Sequence, residues 1–264
     1  MSADAKTPER GEGGYQDNYS ALYSHESMDP AARRLKADKT LAVLKDQLGD
    51  RLRERRALEV GCASGGVSLN LCREFAAYTA VDIDANAIAS ARDEALLVGA
   101  PVEFHRMNSE HLDFADKAFD VVICSHVYEH VPSARRMLDE IYRVLGPGGV
   151  CYFAAGNRLQ WMEPHHRLPL LSVLPKFMAD RYLRVTRRLD KYYENHLTVF
   201  GLRSVVNRFE LIDYTRRIVD DPVAFCAVDQ IAAGSLKHWF ARLAVHWGYW
   251  LFPTYIWLLR KPAI

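Results

Sequence analysis

Between residues 57 and 157, short apolar runs alternate with segments of helical apolar spacing, and this constrains the fold more than any other feature of the chain. The runs at 57–60, 78–81, 102–106, 119–124 and 150–155 read as strands. The segments at 67–75, 86–97 and 132–145 read as helices. The last carries Met137, Leu138, Ile141, Val144 and Leu145 on one side and stops at Gly146-Pro147-Gly148-Gly149. A helix at 29–48 precedes the first strand, with Asp29 as N-cap and Pro30 at the first helical position. Short, continuous apolar runs suit strands covered on both faces, so a doubly wound α/β architecture with a mostly parallel sheet is expected.

After residue 157 the alternation breaks. Residues 158–196 carry prolines, aromatics and many bases and read as an insertion that caps the site. Helix-like 197–209, strand-like 211–218, a Trp-rich helix at 235–251 and a strand at 254–259 complete the sheet over 197–264. Residues 29–157 are then the core, and 1–28 a flexible polar segment or lid bearing Tyr15, Tyr19 and Tyr23. Arg33 and Arg34 belong either to that lid or to a solvated helix face, which is favoured for at least one of them.

The net charge of +1 hides an asymmetry: residues from Arg158 onward carry 16 bases and 9 acids, those before it 18 and 24. Neither half concentrates its bases into a tract, so no nucleic-acid partner is expected. Five widely spaced cysteines, without a paired motif or a secretory signal, read as reduced thiols of a cytoplasmic protein. The apolar stretch at 239–259 is interrupted by Arg242, His246, Gly248 and Pro253, which argues against a membrane span and leaves room for peripheral contact.

Three pieces point to a nucleoside ligand. In LEVGCASGG the first strand ends at Gly61, small residues at Ala63 and Gly65 allow close backbone approach, and Glu59 suits a ligand ammonium. In AVDID, Asp82 ends the second strand, where an acid accepts both hydroxyls of a ribose. In MNSEHLDF, Asn108 offers an amide oxygen to an adenine amino group and Ser109 its backbone amide to the ring.

With FDVVICSHVYEHV and RVLGPGGVCYF following in order, residues 57–157 resemble class I S-adenosylmethionine-dependent methyltransferases. The resemblance implies a seven-stranded Rossmann-like methyltransferase fold and S-adenosyl-L-methionine as cofactor, with S-adenosyl-L-homocysteine as product. It assigns Glu59, Gly61, Cys62, Ala63 and Gly65 to the methionine part, Asp82 and Ile83 to the ribose, Asn108 and Ser109 to adenine, and places Ser125 beside the cofactor. Ala63 stands where a glycine is common, and Asn108 where an aspartate is common.

Methyl transfer to a hydroxyl needs in-line placement and removal of a proton. His126 and His130 follow the fourth strand, with Glu129 between them, and are the candidate catalytic residues, although a histidine at the place of His130 more often has a structural role in the family. In the insertion, His165, His166, Tyr193 and His196, with Tyr192, are candidate acceptor-binding residues, aromatics being suited to sugar faces and apolar chains. Glu163, His165 and His166 sit close in sequence, but adjacent histidines on an extended segment point apart, so no metal site is expected. The insertion resembles, over about forty residues, methyltransferases of bacterial polysaccharide and glycolipid assembly.

The expected function is O-methylation of a sugar, glycolipid or other small-molecule hydroxyl, with no obligatory protein partner. N- or C-methylation of a metabolite is the alternative within the enzyme class, and a non-catalytic cofactor-binding subunit the alternative outside it.

Overall fold

The computed structural model describes residues 29–263. The expected lid with Tyr15, Tyr19 and Tyr23 lies outside them. Helix α1 (Pro30–Leu48) opens the described chain. Asp29 caps it by accepting from the Ala31 amide at 2.9 Å, with Pro30 at the start where no amide is missed. The core then runs β1 (Arg56–Val60), α2 (Ser68–Leu71), β2 (Ala77–Asp82), α3 (Ala85–Val98), β3 (Glu103–Arg106), β4 (Phe119–Ser125), α4 (Ala134–Val144) and β5 (Leu145–Gly156). The cap holds β6 (Met162–Glu163), β7 (Leu168–Pro169) and α5 (Lys176–Val185). After it come α6 (Val199–Val205), β8 (Glu210–Asp213), α7 (Tyr214–Asp220), α8 (Leu236–Trp247) and β9 (Thr254–Arg260).

Seven strands form one sheet in the order β3-β2-β1-β4-β5-β9-β8. Strands β1 to β5 are parallel, while β9 runs antiparallel to both β5 and β8. The strand order reverses between β1 and β4, and the crevice beyond the carboxyl ends of these strands is where a doubly wound sheet binds ligands.

Both faces of the sheet are covered. On one, Leu44, Tyr78, Ile88, Val121 and Ile123 pack together; on the other, Met137, Leu138, Ile141, Phe153, Leu202 and Trp257 do so. This double burial accounts for the unbroken apolar run of β4, every residue of which from Val121 to Cys124 is buried.

Three local expectations are corrected. Residues 67–75 form only the short α2 and a 3-10 turn at Cys72–Glu74. The Gly146-Pro147-Gly148-Gly149 stretch belongs to β5, which bends there with a register shift against β4, and Gly148 takes a φ of 72° that favours glycine. Residues 211–218 are not one strand: β8 ends at Asp213, whose carboxylate accepts from the Thr215 amide and starts α7, turning Tyr214, Ile218 and Val219 inward.

The cap has a small core of its own, with Leu168, Leu171, Ala179, Leu183 and Tyr192 buried. The Leu197 amide donates to Tyr128 Oη at 3.1 Å and the Asn195 amide to the Glu129 carbonyl at 2.7 Å, which ties the cap to the loop after β4. Among the described residues no helix is long and apolar enough to cross a membrane.

Candidate active site

A cavity of about 630 Å³ opens beyond the carboxyl ends of β1, β2, β4 and β5. At one end, the turn after β1 is shaped by main-chain geometry. Gly61 has a φ of 72°, and a Cβ there would overlap the Val127 side chain. Gly65, at φ 77°, packs against Phe104 behind the turn. Ala63 adopts a positive φ of 47°, held by its amide donating to Asp82 Oδ2 at 2.7 Å. The other Asp82 oxygen accepts from the Asp84 amide at 2.9 Å. Burial raises the Asp82 carboxyl, against these hydrogen bonds, which lower it.

Asp82, Ile83, Asn108 and Ser109 line the cavity together with Gly61, Ala63 and Ser125. Asn108 Oδ1 accepts from the Glu110 amide at 2.9 Å, which orients the side chain and leaves a second lone pair on that oxygen.

Glu59 departs from the expectation that it faces the ligand. It is buried behind the turn, accepts from Ser68 Oγ at 2.6 Å and Tyr78 Oη at 2.8 Å, and is absent from the cavity wall. Burial pushes its carboxyl up to about 7, against these two bonds and the charge of Lys36. Cys62 is likewise buried off the wall. The wall residue contributed by α1 is Lys36. One turn earlier, Arg33 donates to Ser64 Oγ at 2.9 Å, while Arg34 is exposed, so the two arginines divide between the turn and solvent.

The opposite end of the cavity is lined by side chains. His126 follows β4 with a φ of 58°, its amide donating to the Ala154 carbonyl. Its Nδ1 lies 3.4 Å from Glu129 Oε1. Burial works to raise the Glu129 carboxyl, but the hydrogen bond from His126 and the charges of His126, His130 and His196 outweigh it and hold it at about 2. Burial lowers His130 to about 4, so its imidazole is neutral at physiological pH.

The cap brings Gln160, Met162, Pro164, His165 and His196 to the same wall. The His130 and His165 rings meet edge to face, with centroids 4.9 Å apart. His196 Nδ1 lies 3.2 Å from Tyr192 Oη. His166 turns away from the cavity, its Nε2 3.6 Å from Glu194, and Tyr193 is buried without lining the cavity.

His126, His130, His165 and His196 therefore share one chamber, while His166 and Tyr193 support it from behind. Lys36, Gln160, Met162, Pro253 and Thr254 line the cavity without having been singled out in the sequence. Pro253 and Thr254 enter because β9 returns beside β5, a pairing that no local motif announces.

Residues 58–153 match the methyltransferase domain family model. The chain is 33% identical over 168 residues to a ubiquinone biosynthesis O-methyltransferase of Erwinia tasmaniensis, covering 60% of this chain and 69% of that one. With the protein of the same name from Sodalis glossinidius it shares 34% identity over 105 residues, 39% of this chain and 42% of that one. Among solved structures, a SAM-dependent methyltransferase from Thermotoga maritima superposes with a TM-score of 0.55 at 14% identity, covering 92% of this chain and 97% of that one. The YcgJ protein of Bacillus subtilis superposes with a TM-score of 0.52 at 14% identity, over 84% and 95%. The chain belongs to the class I S-adenosylmethionine-dependent methyltransferases. Its cofactor is S-adenosyl-L-methionine, and the cavity fits it: a turn of small residues, Gly61 and Ala63, lines the wall beside an acid at the end of β2.

Proposed function

We propose that the protein transfers the cofactor's methyl group to a hydroxyl oxygen of a small molecule held beneath the cap, residues 158–196. One observation carries this reading: a single cavity joins Asp82 and Asn108 to the polar chamber of His126, Glu129, His130, His165 and His196. The relatives' name, an O-methyltransferase, favours oxygen over nitrogen or carbon.

Asp82 takes the ribose hydroxyls, Asn108 and Ser109 the adenine, and the Gly61 to Gly65 turn the methionine part. The bound cofactor supplies an electrophilic methyl on a sulfonium. His126 accepts the acceptor's hydroxyl proton, and Glu129, 3.4 Å away, holds its ring and favours the imidazolium that results. Two of the cap's histidines, His165 and His196, position the acceptor, and the cap excludes water from the sulfonium.

A lipid-linked hydroxyl is the finer reading. It is supported by α8, where Trp239, Phe240, Leu243 and Trp247 are exposed beside Lys237 and offer an apolar surface, while Arg242 on the same helix is paired with Asp220.

The test is incubation with methyl-labelled cofactor and a panel of phenols, sugars, amines and prenylated phenols, the products being assigned by mass spectrometry. A methyl ether is the expected product, and one partitioning into organic solvent favours the lipid-linked acceptor. An N-methyl product overturns the oxygen reading; binding of S-adenosylhomocysteine without turnover on any acceptor overturns catalysis.

A further inference from the structure

We propose that Glu129, His130 and His165 form a binding site for a divalent transition-metal cation in the acceptor chamber. A carboxylate oxygen and one ring nitrogen from each histidine all lie within 4.8 Å of one another. Nitrogen and oxygen donors bind such ions at about 2.0–2.2 Å, which sets ligand atoms roughly 3–4 Å apart. A closing movement of about an ångström by the half-buried rings brings all three onto one ion. Two imidazoles and one carboxylate are a donor set suited to Zn²⁺, Fe²⁺ or Mn²⁺ rather than to Ca²⁺ or Mg²⁺, which prefer oxygen alone.

A second observation is independent of that spacing. Glu129 is 1% exposed and lines the cavity, and its Oε2 has no hydrogen-bond partner among the described residues. A buried carboxylate oxygen left without a donor is costly, and a bound cation relieves that cost.

The ligands come from two segments: Glu129 and His130 from the loop after β4, His165 from the connection between β6 and β7. An ion there would clasp the cap to the core. Sequence neighbours do not supply the pair, since His166 faces Glu194 instead. Three protein ligands leave coordination positions open to the cavity, where an acceptor hydroxyl would bind. This last role rests on the O-methylation reading, whereas cation binding does not.

The full-length protein, purified without a histidine tag and stripped with a chelator, is titrated with Zn²⁺, Mn²⁺ and Co²⁺. Calorimetry and elemental analysis report stoichiometry, and the visible absorption of bound Co²⁺ reports coordination. About one equivalent of at least one ion is expected, with affinity reduced at least tenfold in H165A and E129Q. Titration of the same samples with S-adenosylhomocysteine reports folding and cofactor binding, and stays within about threefold in H165A. The proposal is overturned if the parent binds S-adenosylhomocysteine but retains no ion, or if H165A, folded by that criterion, binds ions as the parent does. Loss of S-adenosylhomocysteine binding in the parent would instead count against the cofactor site.

Discussion

The two ends of the cavity are built differently. At the cofactor end, backbone does the shaping: Gly61 at a positive φ, the Ala63 and Asp84 amides fixed on Asp82, and Asn108 turned back on its own loop. At the acceptor end, side chains do it. Glu129, Gln160 and His196 are buried on its wall, and each has a side-chain atom without a hydrogen-bond partner among the described residues. Backbone shape suits a ligand common to a whole family, because it persists through most substitutions. Buried polar side chains are costly to hold and easily altered, which suits the part of a site that distinguishes one acceptor from another.

The sharpest break of this comparison is Asp82→Ala. Losing two charge-assisted hydrogen bonds to a ribose costs about 3–5 kcal/mol, so S-adenosylhomocysteine affinity is expected to fall roughly 10²–10⁴-fold by calorimetry. An affinity within threefold of the parent would remove Asp82 from the cofactor site.

Next comes the pH dependence of stability contributed by Glu59. Its folded-state carboxyl lies at about 7, above the ordinary value of 4.5. The stabilisation is therefore full below about pH 4.5 and is lost as pH rises through 7, by about 3 kcal/mol. Opposite in sign, His130, lowered from 6.5 to about 4, contributes stability that is present above pH 6.5 and lost as pH falls through 4. The Glu59 contribution is isolated by comparison with E59Q, which keeps an acceptor for Ser68 and Tyr78 but does not titrate. Between pH 5 and 8, urea midpoints of the parent should fall relative to those of the variant; parallel curves refute the assignment.

At the acceptor end, His126→Gln should lower kcat about 10²-fold, equivalent to about 2.7 kcal/mol, with S-adenosylhomocysteine affinity unchanged. Activity within a few-fold of the parent would exclude His126 as base.

The smallest effect is expected at Trp247→Ala on α8, 85% exposed in the parent. Its stability should change by less than about 0.5 kcal/mol, and activity on a water-soluble acceptor should hold. A selective loss on prenylated acceptors would support a lipid-facing role for that helix, and equal losses on both would remove it.

Legibility followed the same division. The sheet was readable because β1, β2 and β4 are apolar runs buried on both faces, and a strand of that kind carries its signature locally. That Asp82 and Asn108 line the cavity was readable because Asp82 ends β2 and Asn108 lies two residues past β3, and strand ends in a parallel sheet meet at one edge. The strand expected at 211–218 failed because Asp213 can act equally as a strand residue or a helix cap, and only the packing of Tyr214 and Ile218 against the core decides between them. Glu59 lies on the expected strand and beside the turn, but spacing shows proximity only, whereas Ser68 and Tyr78 determine where the carboxylate goes.

By itself the sequence determined the α/β class, through apolar periodicity and turn residues that act over a few positions along the chain, and the cofactor, through ordered motifs that resemble those of one family. Tertiary structure alone decided that His165 meets His130 rather than His166, that Lys36 and Thr254 reach the same wall, and that Glu59 retreats from it. The first two join segments dozens to hundreds of residues apart through the packing of the cap, α1 and β9 on the sheet, while Glu59 is drawn back by Ser68 and Tyr78, which the fold of the β1–β2 unit brings behind the turn.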